Sequence, residues 1–318
     1  MRIAIAGTGA FGINHLEALR NIAGVDIAAV VSRTIEQAND VAHTFEVPLA
    51  TTNLDDVLSR PDIDAIILCT PTPLHARQAI ASLRAGKHVQ IEIPLADNWK
   101  DAQEVATVAR ASGLICMVGH TRRFNPPHQW LHERIIGGEL TLQHLDVQTF
   151  FFRRTNINAL GLPRSWVDNL LWHHAAHTVD LFAYQCGDDI VDAHVVAGPN
   201  HPVLHIPMDM SIHLESESGK ICTLALSFNN DGPFGSSFRY ICDNGTFIAR
   251  YDELVTGYDQ HLDVSSMLAS TNGVELQDRE FVGAILDHRD PNSSIESVLT
   301  CYRVLGRLQT QLNRQKRH

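Results

Sequence analysis

Two rhythms of apolar and polar positions divide the chain, and the change between them falls near residue 120. In the first part short, nearly continuous apolar runs recur: Arg2–Ala6, Val25–Ser32, Asp64–Thr70, His88–Glu92 and Leu114–Gly119. Runs of that kind, bounded by turn residues, read as strands buried on both faces of a parallel sheet. Between them lie helical patterns. Leu16, Leu19 and Ile22 share a helical face that Gly24 is expected to stop, Thr34 with Gln37 forms a capping pair, a helix runs from about His75 to Ala85 before Gly86, and Asn98 caps another.

After residue 120 the pattern becomes alternation. A helix is expected near His128–Ile136, then strands at Thr141–Phe152, Met208–Glu215, Ile221–Phe228 and Phe238–Arg250. Met208, Met210, Ile212 and Leu214 alternate with Asp209, Ser211, His213 and Glu215, which marks a sheet covered on one face. Asp243-Asn244-Gly245 is a hairpin signal and Ser216–Gly219 a weaker one. Further helices are expected near Ser165–Cys186 and Glu275–His288, and a last one from about Ser294 to Arg314. The fold class that follows is α/β, with an N-terminal Rossmann doubly wound parallel sheet over residues 1–121. A C-terminal α+β domain with a mainly antiparallel open sheet takes residues 122–318.

Composition narrows the function classes. A hydrophobic fraction of 44% over 318 residues suits two packed domains. The formal net charge of −11 argues against nucleic acid or an anionic membrane as the main partner. It leaves room for an anionic small molecule held by local arginines. The six cysteines show no CxxC pair and read as free thiols of a reducing compartment, so a cytoplasmic location is expected.

The chemistry begins at Gly7-x-Gly9-x-x-Gly12, which follows a strand and opens a helix. One glycine makes the turn, one lets the backbone approach a pyrophosphate, and one lets helix and strand pack closely. The helix N-terminus adds unpaired N–H groups for the phosphates. At the end of the second strand, where NAD binders carry an acidic residue, this chain has Ser32-Arg33-Thr34. No carboxylate there repels a 2′-phosphate, and Arg33 offers it a guanidinium fork, which favours NADP. The alternative is a solvated Arg33 and use of either cofactor.

In the second part the dense segment is Arg164 to Asp168, followed by Trp172 to Asp180. On a helix His173 and His177 lie one turn apart, with Asp180 three residues beyond, an arrangement suited to a histidine base oriented by a carboxylate. The same histidine spacing fits a metal site, and packed core histidines are a third reading, preferred for His174. Arg122, Arg123, Arg153, Arg154 and Arg164 would suit a polycarboxylate substrate, although surface or interface ion pairs account for such residues equally simply.

The glycine turn, Thr70-Pro71 with His75, Ala85 to Val89, Gly119-His120, Arg123-Phe124-x-Pro126 and His177-x-x-Asp180 together resemble the Gfo/Idh/MocA oxidoreductases over essentially the whole chain. The resemblance implies oxidation of a hydroxyl group with NAD(P). It assigns cofactor binding to Thr8, Gly9, Phe11, Gly12, Ser32, Arg33, Thr34, Thr70, His75, Glu92 and Trp166. Catalysis falls to His177, His173 and Asp180, and substrate binding to Arg122, Arg123, Arg153 and Arg164, with no metal. One departure stands out: the family's Glu-Lys-Pro triplet is Glu92-Ile93-Pro94, so its lysine is missing. The runs from Glu92 to Asp97, Gly119 to Pro126, Trp172 to Asp180 and Phe228 to Pro233 are similar to an NADP-dependent branch of the family. That branch oxidises a cyclic hemiacetal bearing carboxylates to a lactone. Alternatives are a sugar or cyclitol dehydrogenase and a cofactor-binding sensor without catalysis. A homodimer or higher homo-oligomer is expected, because an open sheet face is often covered by a second copy.

Overall fold

A computed structural model describes residues 1–157, 161, 163–164, 166–264 and 269–315. The chain packs as two compact units, Met1–Gly119 with Val274–Leu299, and His120–Gly273 with Thr300–His318. The boundary at 121/122 drawn from sequence therefore leaves residues 274–299 on the wrong side. Hydrophobic pattern follows the chain in order and gives no sign that a late helix returns to the first core.

In the first unit the elements are β1 (Arg2–Ala6), α1 (Ala10–Leu19), β2 (Asp26–Val31), α2 (Ile35–Phe45), β3 (Ala50–Thr51), α3 (Leu54–Leu58), β4 (Ala65–Leu68), α4 (His75–Arg84), β5 (His88–Ile91), α5 (Trp99–Ser112) and β6 (Cys116–Val118). The strands form one sheet in the order β3-β2-β1-β4-β5-β6, parallel throughout. This is the doubly wound order whose strand C-termini face a dinucleotide. Ile3, Ala4, Ile5, Ala6, Ile66 and Ile67 are wholly buried, which explains why their runs carry no alternation. Thr34 accepts from the Gln37 N–H, and Asn98 from that of Asp101, as the capping patterns predict. Helix α1 ends at Leu19, short of Ile22, and Gly24 instead takes φ +78° in the connecting turn.

The second unit is built from α6 (Pro126–Ile136), β7 (Leu142–Phe150), α7 (Ala176–Cys186), β8 (Ile190–Ala197), β9 (Asp209–Ser216), β10 (Ile221–Ser227), β11 (Gly235–Cys242), β12 (Gly245–Arg250), β13 (Glu253–Thr256) and β14 (His261–Leu262). Its eight-stranded sheet runs β14-β13-β12-β11-β7-β10-β9-β8, antiparallel except where β10 lies parallel to β7. Met210, Ile212 and Leu214 of β9 are buried while Ser211, His213 and Glu215 face outward. The expected long strand Phe238–Arg250 is two strands, because Asp243 and Asn244 turn the chain between β11 and β12. The helix expected from Ser165 begins later. Ser165 lies outside the described residues, and Leu170–Ala175 is a π-helical turn that runs directly into α7. Helix α8 (Gly273–Asp287) lies almost entirely in the first unit, and α9 (Ile295–Gln315) starts there and continues in the second.

Candidate active site

The three glycines of the first turn divide their work as the chemistry requires. Gly7 takes φ +102°, and a Cβ there would stand 2.3 Å from the Cys69 carbonyl oxygen. A Cβ on Gly12 would lie 1.9 Å from the Gly7 carbonyl oxygen, so helix and turn touch through that hydrogen. A Cβ on Gly9, the N-cap of α1, would meet nothing within 4 Å. The turn thus leaves an open cradle at the helix N-terminus, which fits a pyrophosphate. Phe11 beside it is 54% exposed.

At the end of β2, the hydroxyls of Ser32 and Thr8 are both buried and lie 2.6 Å apart. Thr34 spends its hydroxyl on the α2 cap, and Gln37 Nε2 donates to the Thr8 carbonyl. Arg33 is exposed, and among the described residues it forms no ion pair, which leaves its fork open. After β4, the Thr70 hydroxyl donates to Gln78 Oε1. His75 sits with Nδ1 2.8 Å from the Pro94 carbonyl and Nε2 2.6 Å from that of Thr70. Burial pushes its pKa down against those carbonyls, and the ring stands between the ends of β4 and β5, where its one N–H donates to either carbonyl. Glu92 is also turned inward, its Oε1 accepting from Gln277 Nε2 at 3.1 Å and facing His15 Nε2 at 3.2 Å.

The second unit carries the titratable cluster. His177 lies in the first turn of α7, with Nδ1 buried and without a hydrogen-bond partner. Burial and the nearby charges of Arg122, His120, His174 and His173 hold its pKa well below the usual histidine range, so the imidazole is neutral. Asp180 does not orient it. Its carboxylate takes two hydrogen bonds from Arg123, Nε to Oδ2 at 2.8 Å and Nη2 to Oδ1 at 2.6 Å, and Oδ2 lies 3.4 Å from His120 Nδ1. The same geometry removes Arg123 from the arginines with a free fork, since it is 2% exposed and also covers the Tyr184 ring. Helical spacing placed Asp180 near His177, but a bidentate pair from a distant segment claims the carboxylate.

Arg122 differs. Its Nε is buried without a partner, Nη1 donates to Asn125 Oδ1 at 3.4 Å, and among the described residues no carboxylate forms an ion pair with it. Its guanidinium lies over the Phe238 ring at 5.4 Å. Burial lowers its pKa against the opposing influence of Tyr251, Asp252 and Tyr240.

Arg153 and Arg164 meet at Asp168, whose Oδ2 lies 2.7 Å from one Nη1 and 3.0 Å from the other. His174 Nε2 is 3.1 Å from Oδ1, so two arginines and a histidine share one carboxylate, with His173 Nδ1 standing 3.8 Å away. Burial raises the Asp168 pKa, but His174, Arg153 and His173 outweigh it and hold the carboxyl ionised. Trp166 stacks on His173 at 4.6 Å, and Asn169 N–H donates to His173 Nδ1. His120 and Asp168 lie in motifs named from sequence but were given no site role, and Asn169 was not singled out; Asp168 had the clearest signal, an acid four residues after Arg164 in an arginine-rich stretch. Among the described residues no group of three His, Cys, Asp or Glu side chains is arranged to hold a metal ion.

Residues 1–120 match the oxidoreductase family with an NAD-binding Rossmann fold, and residues 126–268 the C-terminal domain of bacterial oxidoreductases. The chain belongs to the Gfo/Idh/MocA oxidoreductase family. It is 62% identical to the 4-carboxy-2-hydroxymuconate-6-semialdehyde dehydrogenase of Sphingobium sp. (strain NBRC 103272 / SYK-6), over 99% of this chain and 100% of that one. It is 28% identical to an inositol 2-dehydrogenase of Mycolicibacterium smegmatis over 64% of this chain and 57% of the relative. Among solved structures, an NAD-binding oxidoreductase from Klebsiella pneumoniae superposes with a TM-score of 0.86 at 20% identity, covering 98% of this chain and 96% of that one. The family and the dehydrogenase class of this chain follow, together with an NAD(P)-binding Rossmann domain.

Proposed function

We propose that this dehydrogenase oxidises the cyclic hemiacetal of 4-carboxy-2-hydroxymuconate-6-semialdehyde to the lactone 2-pyrone-4,6-dicarboxylate, using NADP. The observation that carries the proposal is the pairing of His177, its Nδ1 buried without a partner, with Arg122, a half-buried arginine whose buried Nε has no partner and which forms no ion pair among the described residues. A base of that kind accepts the hemiacetal hydroxyl proton, and an unpaired guanidinium binds a substrate carboxylate in a fork. The bound nicotinamide supplies the hydride acceptor. Loss of hydride from the hemiacetal carbon and of the hydroxyl proton to His177 leaves the lactone carbonyl. A hemiacetal hydroxyl is more acidic than a sugar alcohol, so Ile93 in place of the family lysine is tolerable.

The cofactor residues fit a dinucleotide by the open space over Gly9. NADP rather than NAD is favoured by the absence of an acid at the end of β2 and by the unpaired Arg33. The sequence relation to the Sphingobium enzyme supports the substrate, and the fork of Arg122 suits one of its carboxylates. The direct test is NADPH formation followed by absorbance with the ring-cleavage product of protocatechuate, beside NAD and neutral inositols. Turnover with NADP and the dicarboxylate is expected. A higher kcat/KM with an inositol, or with NAD, would overturn the corresponding half.

A further inference from the structure

The helix that opens on the glycine turn carries a histidine that the reaction does not use. His15 of α1 is wholly buried, and its Nδ1 lies 2.9 Å from both carboxylate oxygens of Asp278 on α8. Its Nε2 faces Glu92 Oε1, at the C-terminal end of β5, at 3.2 Å. Asp278 is wholly buried and Glu92 is 7% exposed. Among the described residues two further titratable groups stand close: Cys69 beside the ring, whose thiol pKa burial pushes up, and His75 near Glu92, whose pKa burial pushes down. Gln90 Nε2 donates to Asp278 Oδ1 at 2.8 Å, and Gln277 Nε2 to Glu92 Oε1. Two carboxylates buried side by side need a cation, and His15 is the basic side chain placed between them.

We propose that His15 is a positioning residue for the dinucleotide, its ring bridging the Asp278 and Glu92 carboxylates and so tying the helix behind the glycine turn to the end of β5. Burial would strip the ring of its proton, but the Asp278 carboxylate, by its charge and its hydrogen bond, raises the pKa well above the ordinary value, while burial pushes Asp278 itself up against His15. The imidazolium is thus the resting form at neutral pH, donating from both nitrogens. The sign follows. A histidine with a raised folded pKa contributes fully below its unfolded value near 6.5, and that contribution is lost as pH rises through the folded value. When the proton leaves, one bridging bond is lost, two carboxylates remain, and α1 is no longer pinned to β5.

The proposal rests on dinucleotide binding at the glycine turn, and two measurements on the full chain keep the two apart. In the first, the wild-type protein labelled with ¹⁵N-histidine is titrated by NMR without cofactor. His15 should remain an imidazolium through pH 7.5, and a neutral ring at that pH overturns the proposal whatever the cofactor does. In the second, the dissociation constants of NADP and NAD are measured by fluorescence against pH for wild type and His15→Gln. Wild-type affinity should weaken on the alkaline side. His15→Gln should bind about tenfold more weakly at pH 7, the size of one lost charge-assisted hydrogen bond, and without that alkaline dependence. Wild-type affinity and pH dependence in His15→Gln overturn the positioning role, whereas failure of wild type to bind either dinucleotide overturns the cofactor reading alone. Should His15→Gln not fold, Asp278→Asn serves the same comparison.

Discussion

Two adjacent arginines show how far side-chain chemistry depends on partners rather than type. Arg123 is locked to Asp180, and Arg123→Met would strand a carboxylate that is 1% exposed. Breaking one side of such a pair costs about 3–5 kcal/mol, to be read from urea unfolding. Arg122→Met removes a half-buried charge that forms no ion pair among the described residues, so stability should hold or rise slightly. The same substitution should raise KM for the dicarboxylate about tenfold or more while changing kcat less, as loss of a bidentate anchor does. An unaltered KM would exclude Arg122 from substrate binding. For His177, His177→Asn should reduce kcat by about 10²–10⁴ with NADP affinity intact. Because the His177 pKa is lowered, the base stays neutral as pH falls past 6.5. The acid limb of wild-type kcat/KM should therefore lie well below that value and vanish in the variant. Near-normal turnover of His177→Asn would take the base away from this residue.

At the scale of elements, the β1–α1 turn makes opposite predictions at two glycines. Gly12→Ala would drive a methyl into the Gly7 carbonyl, separating helix from turn, and should lower stability strongly. Gly9 has φ −76°, which alanine adopts, and its Cβ would project into open space. Gly9→Ala should therefore unfold like wild type yet bind NADP at least about tenfold more weakly, since the methyl occupies the phosphate approach. Wild-type NADP affinity in Gly9→Ala would show that the pyrophosphate lies elsewhere. This turn was legible in the sequence because each glycine answers a local demand. The N-caps at Thr34 and Asn98 were legible for the same reason. The π turn at Leu170–Ala175 was not, because apolar spacing is read against a period of 3.6 and an inserted wide turn leaves no compositional mark. Asp180 was misassigned for a related reason: spacing reports neighbours on one helix, whereas its partner Arg123 comes from the segment before α6.

At the scale of the whole molecule, the discontinuous first unit has a consequence that the linear reading misses. Residues 274–299 supply Asp278 and Gln277 to the His15 and Glu92 network, and Ser293 donates its hydroxyl to the Val118 carbonyl beside β6. Phe281, Ala284 and Val298 from the same segment are wholly buried. Removing one buried phenylalanine side chain costs about 3–5 kcal/mol, and a domain has only about 5–15 kcal/mol in hand. A fragment ending at residue 121 would lose Phe281 and Val298 together. It would also leave His15 and Glu92 buried without Asp278, or open them to water. Residues 1–121 alone should therefore lack a cooperative urea transition and bind no dinucleotide. Residues 1–119 joined to 274–299 through a short Gly/Ser linker should recover both, followed by circular dichroism and by NADP titration. Cooperative unfolding and tight NADP binding by 1–121 alone would show that the first sheet closes its own core. The contacts of Asp278 with His15 and Gln90 would then be incidental to it.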